Sequence, residues 1–307
     1  MGDLKQLYLK EINKFSKKMV YLEKENLYLN IKYRTKVDNK KAIVWISGYN
    51  DFFYHIYVAD RILENNMDLW IIEFDNFGEN LNKKNTPLHI ENISDLILQV
   101  KETIKFQQKE KEYEKRYLYG HSLGGLIALM YSKKYPKEIN GLILNSPLLH
   151  CSVSSIFLTY ILILCTIILG KIPKVNEIKI SKKSNKEIIE KIQESHYLDF
   201  NMFVINPSIS LKLMHDIYNE ISKLKNSKIK CNIPTIMFSN NYNYSRKSNE
   251  VKGEHILNVK KMEDYSYKFI QNLKIYKVDN GLHDIFSSDP IIIKECLDVL
   301  ISWSKNN

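Results

Sequence analysis

The sequence predicts an α/β protein, with a mostly parallel central sheet, helices on both faces, and one long insertion late in the chain. Short, nearly continuous apolar runs, such as AIVWIS (42–47) and LWIIEF (69–74), are expected of strands covered on both faces. Segments with helical spacing fall between such runs, so strand and helix alternate. Size agrees: 307 residues, 44% apolar and 26% charged, suffice for one large domain with an insertion or for two ordinary domains.

Taken in order, ENLYLNIKYRT (25–35) alternates apolar and polar residues, the mark of a half-buried strand. AIVWIS follows as a buried strand, then YHIYVADRILEN with helical spacing, then LWIIEF as a second buried strand. SDLILQVKETIKF (94–106) reads as an amphipathic helix with Asn92 or Ser94 as its cap. RYLY (116–119) is a strand, GGLIALMYSKKYP a helix stopped by Pro136, and INGLILNSP (139–147) a buried strand. Residues 150–230 break the rhythm. It resumes with the strand IPTIMFSN (233–240), the helix-like ILNVKKMEDYSYKFI, the strand LKIYKVDNG (273–281) and the closing helix PIIIKECLDVLISWS. The expected division is a core of 1–149 and 231–307 with 150–230 inserted.

The formal charge of +10 comes from lysines mixed with acids along most of the chain, and no nucleic-acid module is recognisable. No nucleic-acid partner is therefore expected, while an anionic membrane surface is. Cys151, Cys165, Cys231 and Cys296 have neither metal-type spacing nor a pairing pattern, and read as reduced residues of a cytoplasmic protein. The N-terminal MGDLKQLYLKEINKF has no apolar signal core, and Gln6 stands where N-acylation requires Ser or Thr.

YGHSLGG (119–125) lies between a buried strand and a helix, the context in which Gly-x-Ser-x-Gly makes a tight turn that lifts a hydroxyl above the sheet edge. Ser122 is thus the candidate nucleophile; the alternative is a plain turn. A serine hydroxyl needs a base within hydrogen-bonding reach. His283, between the last strand and the last helix, falls at the same sheet edge. His121 lies inside the turn, and His55, His89, His150, His196 and His215 read as surface or satisfied core residues. Candidates for the group that orients the imidazole are Glu250, Glu254, Asp279 and Asp284, with Asn243 as an uncharged alternative. Glu254 is favoured because a helix begins just beyond it, and an amide such as Asn243 cannot compensate an imidazolium. Two backbone N–H groups should face the developing oxyanion. Leu123 supplies one, and Tyr49, after Gly48 in SGYNDFF, supplies the other.

These residues resemble the α/β-hydrolases of the monoacylglycerol lipase and lysophospholipase group, the serine aminopeptidase-like hydrolases. WISGYNDFFYHIYVADRILENNMDLWIIEFD is similar to the family's oxyanion loop, following helix and next strand, and YGHSLGG to its nucleophile elbow. GEHILNVKKM resembles the acidic segment after the seventh strand, with Glu254 at its first acidic position, and NGLHDIFSSD resembles the family's histidine loop. Ser47 stands where the family has His, Glu73 and Asn80 replace an Asp and a Ser, and Glu254 replaces Asp. The resemblance implies an α/β-hydrolase fold with a helical cap inserted after the sixth strand, a Ser122–His283–Glu254 triad, and no metal or organic cofactor.

The insertion opens with CSVSSIFLTYILILCTIILGKIP, uncharged from Val153 to Leu169 and apolar on every helical face. About 17 residues border on membrane-spanning length, but a span would separate the strands of the sheet. The preferred reading is a lid that roofs an acyl pocket and touches the bilayer, with the Lys-rich 171–191 facing anionic headgroups. The expected activity is hydrolysis of the acyl ester of a single-chain lipid, a monoacylglycerol or lysophospholipid. The alternatives are a soluble esterase, thioesterase or aminopeptidase of the same fold, and a non-catalytic lipid-binding member.

Overall fold

The computed structural model describes residues 10–81, 88–150, 177–179, 208–243, 253–254 and 256–307. The strand β1 (Ser16–Leu22) forms an antiparallel hairpin with β2 (Leu27–Arg34). There follow β3 (Lys41–Ile46), α1 (Ile56–Glu64), β4 (Met67–Glu73), α2 (Ile93–Glu110), β5 (Lys115–His121), α3 (Leu123–Lys134) and β6 (Gly141–Asn145). A small antiparallel pair, β7 (Glu177–Lys179) and β8 (Ser208–Ser210), precedes α4 (Leu211–Asn226). The chain closes with β9 (Thr235–Asn240), α5 (Val259–Phe269), β10 (Leu273–Val278) and α6 (Pro290–Asn306).

Among the described residues the main sheet has eight strands in the order β1-β2-β4-β3-β5-β6-β9-β10. From β4 to β10 every neighbouring pair is parallel, and β2 joins β4 antiparallel. This is the predicted mostly parallel sheet with helices on both faces. The apolar runs divide by the two-residue period of a strand. Ala42, Val44 and Ile46 join one core cluster while Ile43 and Trp45 join the other. Leu118 and Met237 likewise face the first cluster, and Tyr117, Tyr119, Ile236 and Phe238 the second. Residues of α2 to α5 pack in the first cluster, those of α1 and α6 in the second.

The one strand of the main sheet absent from the sequence-based expectation is β1; the short pair β7 and β8 was not expected either. β1 is an edge strand whose side chains are largely exposed, so SKKMVYL carries little hydrophobic pattern. With β1 counted, β6 is the sixth strand in chain order, the point after which the insertion was expected. The apolar stretch 153–169 and most of the Lys-rich segment lie outside the described residues. At the returning end, Leu213, Ile217, Ile221 and Leu224 of α4, at near-helical-turn spacing, are buried in the first cluster. No helix among the described residues is long and apolar enough to cross a membrane. Cys231 and Cys296 are buried and free.

Candidate active site

Ser122 sits where β5 turns into α3, with φ at +50° and ψ at −116°, a left-handed strained conformation for a non-glycine residue. Close approach explains the flanking glycines. A Cβ on Gly120 would stand 2.4 Å from the Gly124 carbonyl oxygen, and one on Gly124 would stand 2.5 Å from the carbonyl oxygens of Ile46 and Ser47. The Ser122 N–H donates to the Asn145 carbonyl at the end of β6 (3.0 Å), and the Ser122 carbonyl accepts from Gly125, Leu126 and Leu148. The turn is therefore held by the adjacent strand as well as by its own helix. Ser122 is only partly buried.

His283 lies in the loop after β10, 6% exposed. Its Nδ1 is 2.8 Å from Oε1 and 2.9 Å from Oε2 of Glu254, which is 1% exposed. Burial pushes the Glu254 carboxyl up. The neighbouring His283 and the N–H groups of Leu257 and Ile256 outweigh it and bring it down to about 2. The two loops are tied directly: the Gly253 N–H donates to the Gly281 carbonyl (2.9 Å), and the Asn240 amide donates to the Leu282 carbonyl (3.0 Å). The ring of His121, next to Ser122 in the chain, lies 4.9 Å from the ring of His283, centroid to centroid.

The other candidate acids go elsewhere. Asn243 pairs with Glu254 in an isolated β-bridge, donates to the Glu254 and Leu257 carbonyls, and accepts from the Val259 N–H, so it shapes the loop that carries Glu254. Asp279 accepts from Asn241 at the surface (2.6 Å). Glu250 lies outside the described residues. Gly48 follows β3, and a Cβ on it would come within 3.3 Å of the Ser122 Cβ, which brings the loop of Tyr49 against the elbow. Leu123 is the first residue of α3, where N–H groups have no acceptor within the helix.

Beneath these loops lies a buried polar network that sequence reasoning did not assign. Asp284 is bonded by His55 Nε2 (2.8 Å), the Asn145 amide (2.8 Å), the Ser287 hydroxyl (2.7 Å) and the Phe286 N–H (3.0 Å). Burial raises its carboxyl, but His55 and His121 outweigh that and hold it well below the usual range. His121 Nδ1 lies 3.0 Å from Asp51 Oδ2. Burial alone would lower the His121 pKa, but the carboxylates of Asp284, Asp51 and Glu254 raise it, which favours the imidazolium. Ligand-type atoms of Asp51, His121 and Asp284 lie within 4.8 Å of one another, a geometry a cation could use. The two carboxylates are already met by N–H and O–H donors and by imidazole, so hydrogen bonding accounts for their charge. The sequence clue was the polar spacing inside the apolar NDFFYHIY, and Asp284 directly after His283. A groove of about 920 Å³ runs along the starts of β9 and β10 and α6, at the opposite sheet edge from Ser122.

Comparison with known proteins places the fold and the family. The model of the serine aminopeptidase, S33 family matches residues 37–241. A monoacylglycerol lipase from Paleococcus ferrophilus superposes with a TM-score of 0.67 at 16% identity, covering 90% of this chain and 97% of that one. A soluble variant of monoglyceride lipase from Saccharomyces cerevisiae, solved with a substrate analogue, superposes with a TM-score of 0.66 at 16% identity, covering 93% of each chain. In sequence, the chain is 26% identical over 133 residues to the 1-acylglycerol-3-phosphate O-acyltransferase ABHD5 of Pongo abelii, spanning 43% of this chain and 37% of that protein's length. The chain belongs to the serine aminopeptidase, S33 family and carries the α/β-hydrolase fold.

Proposed function

We propose that the protein is a serine carboxylester hydrolase that cleaves the acyl ester of a single-chain lipid, a monoacylglycerol or lysophospholipid. The observation that carries the reading is the buried contact of Glu254 with His283 Nδ1 at 2.8 Å, on the rim where the strained Ser122 is held. The Ser122 hydroxyl attacks the acyl carbonyl carbon and His283 Nε2 takes its proton. Glu254 fixes the imidazole tautomer and stabilises its cation. The N–H groups of Tyr49 and Leu123 donate hydrogen bonds to the negatively charged carbonyl oxygen. Collapse of the tetrahedral species breaks the ester bond, and His283 protonates the departing alcohol oxygen. Water, deprotonated by the same imidazole, then releases the fatty acid from Ser122.

The lipid part of the reading rests on the uncharged apolar run 153–169 of the insertion, taken as a roof over an acyl chain. Lysines that follow it would meet a membrane surface peripherally. The lipases among the structural relatives suggest the same substrate class. The acyltransferase name of the partial relative points to a second acceptor, a lipid hydroxyl in place of water, acting on the same acyl-enzyme.

A fluorophosphonate probe tests the reading. The wild type should be labelled covalently and Ser122→Ala should not; an unlabelled wild type would favour a non-catalytic lipid-binding member. A panel of esters should then show long-acyl monoesters turned over faster than acetyl esters or aminoacyl amides. Preference for short soluble esters would shift the assignment to a general esterase.

A further inference from the structure

Asp51 has no part in the triad chemistry, yet its carboxylate is fully engaged at the meeting point of two loops. Oδ2 accepts the Gly48 N–H (3.2 Å) and lies 3.0 Å from His121 Nδ1, while Oδ1 accepts the Phe52 N–H (2.8 Å). Gly48 leads the oxyanion loop and His121 leads into the elbow. Each is followed by a residue whose neighbourhood matters for the oxyanion: Tyr49 directly after Gly48, and Leu123 one residue past Ser122. The contact is close, since a Cβ on Gly48 would stand 3.0 Å from His121 Nδ1. The loop has no regular secondary structure between Ile46 and Ile56, and Asn50 within it takes φ of +56°. Burial of Phe52, Phe53 and Tyr54 in the second core cluster anchors its far end, and the bonds of Asp51 hold its start against the elbow.

We propose that Asp51 is a positioning residue that clasps the oxyanion loop to the nucleophile elbow, holding the Gly48 N–H on one side and His121 on the other. The clasp sets the separation of the Tyr49 and Leu123 amides; it rests on the catalytic reading of those amides given above. His121 donates Nδ1–H to the carboxylate. Its ring also faces His283 across 4.9 Å, and Asp284 stands within 4.8 Å of both groups of the bridge. Asp284 belongs to the layer below, where His55, Asn145 and Ser287 hold it. Asp51 is thus the one carboxylate of the cluster that joins the two oxyanion-bearing loops directly.

Donors aimed at the oxyanion act on the transition state more than on the bound ester, so loosening them lowers kcat and spares KM. Complete loss of one such donor costs roughly a hundredfold to a thousandfold. A donor displaced by a broken clasp should cost less, about tenfold to a hundredfold. With p-nitrophenyl caprylate as substrate, Asp51→Asn should lose kcat by that factor with KM within about twofold. Inhibition by a trifluoromethyl ketone, which presents an oxyanion to the site, should weaken in parallel. Asp51→Glu keeps the carboxylate and should recover a substantial part of the loss. His121→Gln breaks the clasp from the other side, and the double variant Asp51→Asn/His121→Gln should fall little below the worse single one. Thermal unfolding followed by circular dichroism separates these effects from loss of fold, and His121→Gln carries the test if Asp51→Asn does not fold. An Asp51→Asn enzyme with wild-type kcat, a rise in KM alone, or fully multiplicative losses in the double variant would overturn the clasp. If the wild type itself fails to react with a fluorophosphonate, the catalytic reading falls and the clasp with it. A reactive wild type beside an indifferent Asp51→Asn defeats the clasp alone.

Discussion

Replacing Glu254 by Gln removes one negative charge and leaves its local scaffold in place. Oε1 of Glu254 accepts the N–H groups of Ile256 (2.8 Å) and Leu257 (2.9 Å), and a glutamine carbonyl can accept both. What changes is the face toward His283. The carbonyl at the Oε1 position can still accept Nδ1–H, but the NH₂ that replaces Oε2 sets a donor about 2.9 Å from Nδ1 and so favours the tautomer with its proton on Nε2, the atom that must receive the proton of Ser122. The charge component can be sized from the carboxyl itself, whose pKa falls from an ordinary 4.5 to about 2 despite burial. At 1.36 kcal/mol per tenfold, that is about 3 kcal/mol, shared between His283 and the two N–H donors. The part belonging to the imidazolium is on the order of a hundredfold in rate, and the wrong tautomer adds further loss, so kcat should fall by about 10³ to 10⁴. Steady-state hydrolysis of p-nitrophenyl caprylate by Glu254→Gln, with thermal unfolding run alongside, measures both sides. A kcat within about threefold of wild type in a folded variant would refute the pairing as a catalytic element.

Gly124→Ala should abolish soluble folded protein or lower Tm by many degrees, because its Cβ would meet two main-chain oxygens at 2.5 Å that no side-chain rotation can relieve; a normal melting curve would sink this. Stability should depend on pH with opposite signs at the two ends. Glu254, depressed to about 2, contributes fully above about 4.5 and is lost as pH falls from there, and Asp284, also depressed, acts in the same direction. His121, raised from 6.5, contributes fully below that value and is lost as pH rises through its higher folded value. Tm measured against pH should therefore peak between those limits, and His121→Gln should flatten the alkaline limb; an unchanged alkaline limb would contradict the charged state of His121. Glu254→Asp should not restore activity, since shortening the arm by one methylene withdraws the carboxylate by about 1.3 Å from the Nδ1 it now meets at 2.8 Å. Turnover above that of Glu254→Gln by more than about tenfold would show that the backbone adapts.

What could be read from the sequence follows from how far each signal extends along the chain. The elbow is written locally, since two glycines, a serine, a buried strand and a helix occupy consecutive residues, and the structure gives the steric reason in the contacts of Gly120 and Gly124. The apolar runs were legible because burial on both faces leaves only apolar residues in the middle of β3, β4 and β6, with Lys41, Asp68, Glu73 and Asn145 confined to the strand ends. β1 was not, because an exposed edge strand needs no hydrophobic period and is held mainly by its hairpin ladder to β2. The buried network under the rim was hidden for a different reason. Asp51 meets His121 and His55 meets Asp284, pairs separated by 70 and 229 positions, and no periodicity connects them. A histidine in an apolar stretch announces only that it must find a partner.

Glutamate at the proposed acid position brings a geometric demand along with its charge. Its arm is one methylene longer than aspartate, so the main chain that carries it must stand farther from the imidazole. Gly253, directly before it, takes φ of +91°, a conformation costly for any other residue, and its N–H is bound to the Gly281 carbonyl of the histidine loop. On the other side, the Glu254 N–H donates to the Tyr242 carbonyl (3.1 Å), and Asn243 ties down the Glu254 and Leu257 carbonyls. These bonds fix where the longer arm starts, and both its oxygens then reach Nδ1 within 2.9 Å.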